Sequence, residues 1–174
     1  DLNKTVAMVD DAAAALKQIA KSGKKILFVA TKKQAKGIVT ETAEALNMPY
    51  ITERWPGGLL TNFATIRKSI KKMQTIDKMK ENGTFDSLSK RERLQIDRQR
   101  AKLDLNLGSI VKMTRMPEAV FIIDTNKENI ALAEANKLGI RSFAMNDTNT
   151  NPSLVNFPIP ANDDASKSIS KILL

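Results

Sequence analysis

No cysteine and no histidine occur among the 174 residues. The first absence excludes a disulfide framework, a thiolate metal site and cysteine catalysis. The second removes the commonest general base and the commonest metal ligand. An enzyme built on this chain would have to work with carboxylates, Lys, Ser, Thr or a cofactor. Long apolar runs are missing as well: those at 26–30 and 119–123 are far too short to span a bilayer. No secretory signal pattern is visible. The chain opens at Asp1 rather than Met and stops abruptly at Leu174, from which we expect trimmed ends.

What is present is a soluble globular profile, 42% hydrophobic and 27% charged, in a chain the size of one ordinary domain. Lys and Arg number 28 against 19 Asp and Glu, a formal net charge of +9. Such a surplus suggests a polyanionic partner, because each cation seated on a phosphate releases a condensed counterion. A merely solvated surface would have the same net charge, so clustering has to decide.

Residues 3–21 read as an amphipathic helix with Val6, Val9, Ala13, Leu16 and Ala20 at helical spacing, ended by Ser22 and Gly23. "KKILFVA" (24–30) is a short continuous apolar run, as expected of a parallel strand covered on both faces. A helix follows with Thr31 as its cap and Ile38, Thr42 and Ala45 inward, then a strand at 49–52. The unit repeats at "PEAVFIIDTNKENIALAEANKLGI", and strands at 140–145 and 156–160 precede a closing helix capped by Asn162 or Asp163. This alternation predicts an α/β fold with a doubly wound parallel sheet.

One interval breaks the rhythm. Residues 64–107 contain no strand signal, only two long helical patterns separated by "ENGTFDSLS". Ile66, Ile70, Met73 and Ile76 step by three and four in the first; Ile96, Leu103, Leu107 and Ile110 do so loosely in the second. Gly83 suits the turn, and Ser87 or Ser89 the second cap. The pattern predicts an antiparallel helical hairpin inserted into a body made of residues 1–63 and 108–174. Two ordinary sheet-covering helices are the alternative.

Four polar loops follow predicted strands: "TKKQ" at 31, "RWPGG" at 54, "DTNK" at 124 and "NDTN" at 146. A parallel sheet would gather them at its carboxyl edge, where α/β enzymes bind ligands. There Asp124 and Asp147 could hold Mg²⁺ and Lys32 could meet the phosphate of a nucleotide or phosphosugar. Neither a G-x-G-x-x-G turn nor a G-x-x-x-x-G-K-[ST] loop is present, however, and a strand-end Asp commonly caps the next helix. We therefore expect no enzyme, no cofactor and no metal.

The cations are more informative. Arg67 and Lys71 are i,i+4 neighbours, as are Lys68 and Lys72, with no compensating acid before Asp77. Like charges at that spacing cost a helix a few tenths of a kcal/mol per pair, so an uncompensated patch favours phosphate contact. Lys32, Lys33, Lys36 and Arg54 are further candidates. Immediately upstream, Trp55, Pro56, Gly57 and Gly58 form a stiff turn, because Pro restricts the residue before it and Gly adopts positive φ freely. Trp55 can stack on a base or fill the junction of body and hairpin, and packing is preferred; Arg54 can fork a phosphate.

"DLNKT", "ILFVATKKQA", "RWPGGLLTNFATIRKSI", "AVFIIDTNKENIALAEANKLGI", "NDTNTNP" and "PIPANDDA" occur in order across the chain. Together they resemble bacterial-type small-subunit ribosomal protein two. The resemblance implies a flavodoxin-like sheet with a protruding helical hairpin. It also implies a non-catalytic, cytoplasmic component of the small ribosomal subunit that binds small-subunit ribosomal RNA. Its neighbours would be other small-subunit proteins, including ribosomal protein one, which the family helps to recruit; no membrane or small-molecule substrate is expected.

Overall fold

The structure, a computed structural model, describes residues 2–174, so Asp1 of the "DLNKT" stretch lies outside the described residues. The strands are β1 (Ile26–Val29), β2 (Tyr50–Ile51), β3 (Ala119–Ile123), β4 (Arg141–Asn146) and β5 (Phe157–Pro160). The helices are α1 (Leu2–Lys21), α2 (Lys33–Ala45), α3 (Phe63–Glu81), α4 (Lys90–Leu107), α5 (Asn129–Lys137) and α6 (Ser166–Leu173). All strand pairs are parallel and the order is β2-β1-β3-β4-β5, the flavodoxin-like arrangement. Its topological switch point falls between β1 and β3.

Alternating strand residues feed two apolar layers, as the two-residue period of a strand requires. Ile26, Phe28, Ala119, Phe121, Phe143 and Met145 face α1, α2 and α6. Leu27, Val29, Val120, Ile122 and Ala144 face the other way, toward α5 and the foot of the hairpin. Edge strand β5 carries Pro158 and Pro160, which cannot donate to a further strand, and Thr5 of α1 donates its hydroxyl to the Pro160 carbonyl at 2.9 Å.

The hairpin helices form as the spacing predicts, and Ile70, Met73 and Ile76 are buried. Gly83 takes the turn at φ +77°, and Ser89 closes a capping box with Glu92. Ion pairs Asp77–Arg100 (2.9 Å) and Lys80–Asp97 (2.6 Å) join the two helices. At the base, Ile70 and Leu107 lie in the same cluster as Leu27, Val29 and Ile122. The hairpin's first turns are therefore also a sheet-covering layer, and only the distal part relies on its own contacts.

Several local expectations differ. On α1 the inward stripe is Val9, Ala12, Leu16 and Ile19, while Val6, Ala13 and Ala20 are exposed. Those small residues mimic the period, but the larger Ile19 sets its phase. On α2 the buried set is Ala35, Val39 and Ala43; Ala45 is exposed, one residue too far round the helix. Thr31 does not cap α2: Lys32 occupies the N-cap, and Thr31 instead bonds to Glu128 through both its backbone N–H and its hydroxyl. Helix α6 starts only at Ser166, and Asn162 accepts from the N–H groups of Asp164 and Ala165 in the turn ahead of it.

Candidate nucleic-acid interface

The turn at 54–61 is built around a residue that the sequence pattern did not single out. Glu134, on α5 and only 8% exposed, accepts five hydrogen bonds from that turn. Trp55 Nε1 (3.1 Å) and the Gly58 N–H (2.7 Å) reach Oε1. The Leu60 and Thr61 N–H groups and the Thr61 hydroxyl, each at 3.0 Å, reach Oε2. Burial pushes this carboxyl's pKa up, but the donors of Thr61, Trp55, Gly58 and Leu60 outweigh it and hold the group below the ordinary glutamate value. A signal existed: Glu134 interrupts the buried Ala131, Leu132 and Ala135 face of α5, where an acid needs partners.

Trp55 is accordingly a packing residue, 8% exposed and in the core cluster at the junction of body and hairpin. Gly58 sits at φ +83°, and a Cβ there would lie 3.3 Å from the Asn62 Cβ, so glycine is required; Gly57 has open space. Pro56 and Gly57 form one wall of a groove of about 450 Å³ between the turn and the hairpin base. Arg54, Ser69, Gln99, Lys102 and Asn106 supply its polar lining.

The eight cations expected to meet phosphate divide into two groups. Lys33, Arg54, Lys68, Lys71 and Lys72 are exposed and have no ion pair among the described residues. Lys68, Lys71 and Lys72 lie on α3 opposite its Ile66, Ile70 and Met73 stripe, and so away from α4. The other three are engaged within the chain. Arg67 donates to the carbonyls of Val111 (3.4 Å) and Met113 (3.3 Å), tying α3 to the body. Lys36 pairs with Glu53 at 3.0 Å on the surface, a weak link that phosphate could displace.

Lys32 is held most firmly, which argues against the phosphate role expected of it. At the switch point its ammonium lies 2.6 Å from Asp163, 2.6 Å from Asp164 and 3.1 Å from Asp124, and its side chain is 15% exposed. Burial alone would weaken its hold on the proton; hydrogen bonds to the three carboxylates reverse that and raise its pKa. Asp163 is raised too, first by burial and then by repulsion from Asp124 and Asp147, against the pull of Lys32. Asp124, at φ +66°, also accepts from the N–H groups of Asn126 and Lys127, the turn-capping role.

Asp147, Asp163 and Asp164 bring carboxylate oxygens within 4.8 Å of one another, the described residues best placed to hold a hard divalent cation. Two of these three acids already pair with Lys32. At the switch point the lysine and its three neighbouring acids Asp124, Asp163 and Asp164 are thus engaged with one another.

Comparison with known proteins identifies the family. The sequence matches the family described as "Ribosomal protein S2" over residues 1–174. It is 68% identical over 173 residues to small ribosomal subunit protein uS2 of Phocaeicola vulgatus, covering 99% of this chain and 62% of that protein. It is 67% identical to the uS2 of Bacteroides thetaiotaomicron, with the same coverage, and 65% identical to that of Flavobacterium johnsoniae, covering 68% of that protein. The chain therefore spans a little under two thirds of the length of the first two relatives. On its ordered motifs, its strand order and these matches, the chain belongs to the ribosomal protein S2 family.

Proposed function

We propose that the chain is a non-catalytic structural component of the small ribosomal subunit that binds small-subunit ribosomal RNA through the outer face of α3, with Arg54 and Lys33 on the body extending the contact. It works in the cytoplasm beside other small-subunit proteins and helps to recruit ribosomal protein one. The observation that carries the RNA reading is the distribution of charge. Residues 63–107 hold 12 of the 28 Lys and Arg but only 6 of the 19 acids. Several of those acids pair internally with Arg93, Arg100 and Lys80, which leaves Lys68, Lys71 and Lys72, together with Lys78, Lys90, Arg91, Arg98 and Lys102, without an ion pair among the described residues. A patch that costs the helix repulsion and lacks local counter-charge is suited to a polyanion. Its family relatives are named as small ribosomal subunit proteins, which supports small-subunit ribosomal RNA as that polyanion.

The test is filter binding to transcribed small-subunit ribosomal RNA across a salt series. Affinity should fall steeply with salt, and Lys68, Lys71 and Lys72 all changed to Glu should lower it at least tenfold, with an unchanged circular dichroism spectrum. A folded triple variant that binds normally would make this face a solvated one.

A further inference from the structure

A second buried polar constellation lies away from the crevice, at the joint. Five donors from the short turn at 55–61 converge on the Glu134 carboxylate, and among the described residues no cation pairs with it. A carboxylate accepts on both oxygens, which is what this set of donors demands. A neutral amide of the same shape cannot serve. Whichever way it turned, its NH₂ would oppose either the indole and Gly58 N–H groups or the three donors from Leu60 and Thr61. The bound indole belongs to the residue after Arg54, and Thr61 stands just before the Asn62 cap of α3. One negative charge therefore fixes both ends of the turn.

We propose that Glu134 is a positioning residue: its cradle sets the pose in which Arg54, on the wall of the groove shared with Lys102, meets RNA together with the cations of α3. This rests on the RNA-binding reading above and assigns to an internal carboxylate the geometry of that contact. Glu134 touches no ligand itself. It acts by holding the backbone from which Arg54 projects, so that the guanidinium does not have to be ordered at the moment of binding.

The experiment is a double-mutant cycle on the whole chain, read by affinity for transcribed small-subunit ribosomal RNA. Arg54→Ala should weaken binding about fivefold and reduce the salt slope by about one phosphate contact. Glu134→Gln should weaken it by a similar factor, retain the far-ultraviolet spectrum and shift the Trp55 emission. The double variant should be no weaker than either single one by more than about twofold, because the two changes remove the same contact. Glu134→Gln binding like the wild type, or losses that multiply in the double variant, would overturn the inference while leaving RNA binding intact. Wild-type chain that does not bind would overturn the RNA reading itself, and this inference with it. If Glu134→Gln does not fold, Trp55→Phe, which deletes one donor and keeps the charge, takes its place in the cycle. Non-multiplying losses with Arg54→Ala would then support the inference, and wild-type binding or multiplying losses would overturn it.

Discussion

Gly57 and Gly58 are neighbours of the same type with different duties. Gly58 lies at φ +83° with Asn62 close by, so Gly58→Ala should cost about 1–2 kcal/mol from the left-handed backbone alone. Gly57 is in open space and its φ is not positive, so Gly57→Ala should stay within about 0.5 kcal/mol of wild type. Urea midpoints of the two variants separate these cases, and equal losses would contradict the geometry. The pair of glycines was legible as a turn; which of them is indispensable was not, because φ depends on the Glu134 cradle. Lys32 behaves similarly. In sequence it is one more cation beside Lys33, yet Asp163 and Asp164, more than a hundred residues away, enclose it.

At the scale of elements the hairpin is two things joined end to end. Its foot shares Ile70 and Leu107 with the core of the body, and its distal half is held by Met73, Ile76 and the ion pairs across α3 and α4. We propose the working boundary of the protrusion near the middle of each helix rather than at residues 64 and 107. Replacing residues 77–98 by a short Gly-Ser linker should leave a cooperatively melting body, because antiparallel helices lie only about 8–10 Å apart and loop closure costs change slowly with length. Removing 65–107 instead should expose the face formed by Leu27, Val29 and Ile122 and give a poorly folded product. Calorimetry on both variants decides; a cooperative transition in the longer deletion would return the boundary to residues 64 and 107.

For the whole molecule, two raised pKa values make stability fall in alkali. Tyr50 donates to Glu44 at 2.7 Å, and that hydrogen bond, with burial and the nearby charge, pushes its pKa from 10.0 up to about 12. Lys32 is raised above the ordinary lysine value of 10.5 by its carboxylates, despite burial. In both cases the folded state holds the proton more tightly, so the contribution is complete below the unfolded value and is lost as pH rises through the folded one. Urea midpoints should therefore be level to about pH 9 and decline between pH 10 and 12. Tyr50→Phe should remove part of that decline. A midpoint that rises over this interval would contradict both placements.

The sequence by itself determined the alternation of strands and helices, the parallel sheet, the interrupted rhythm at 64–107 and the basic face of α3. Each of these is a local property: a hydrophobic period, a capping residue or a run of charge is written in neighbouring positions. Tertiary structure alone decided which cations have no ion pair among the described residues. It also decided that Trp55 is buried, that the hairpin's foot belongs to the core, and that Glu134 holds the turn. These outcomes depend on residues brought together from distant parts of the chain, 79 positions for Trp55 and Glu134 and 131 for Lys32 and Asp163. A buried charge has to find its partners wherever the fold brings them, and no periodicity in the chain records where that will be.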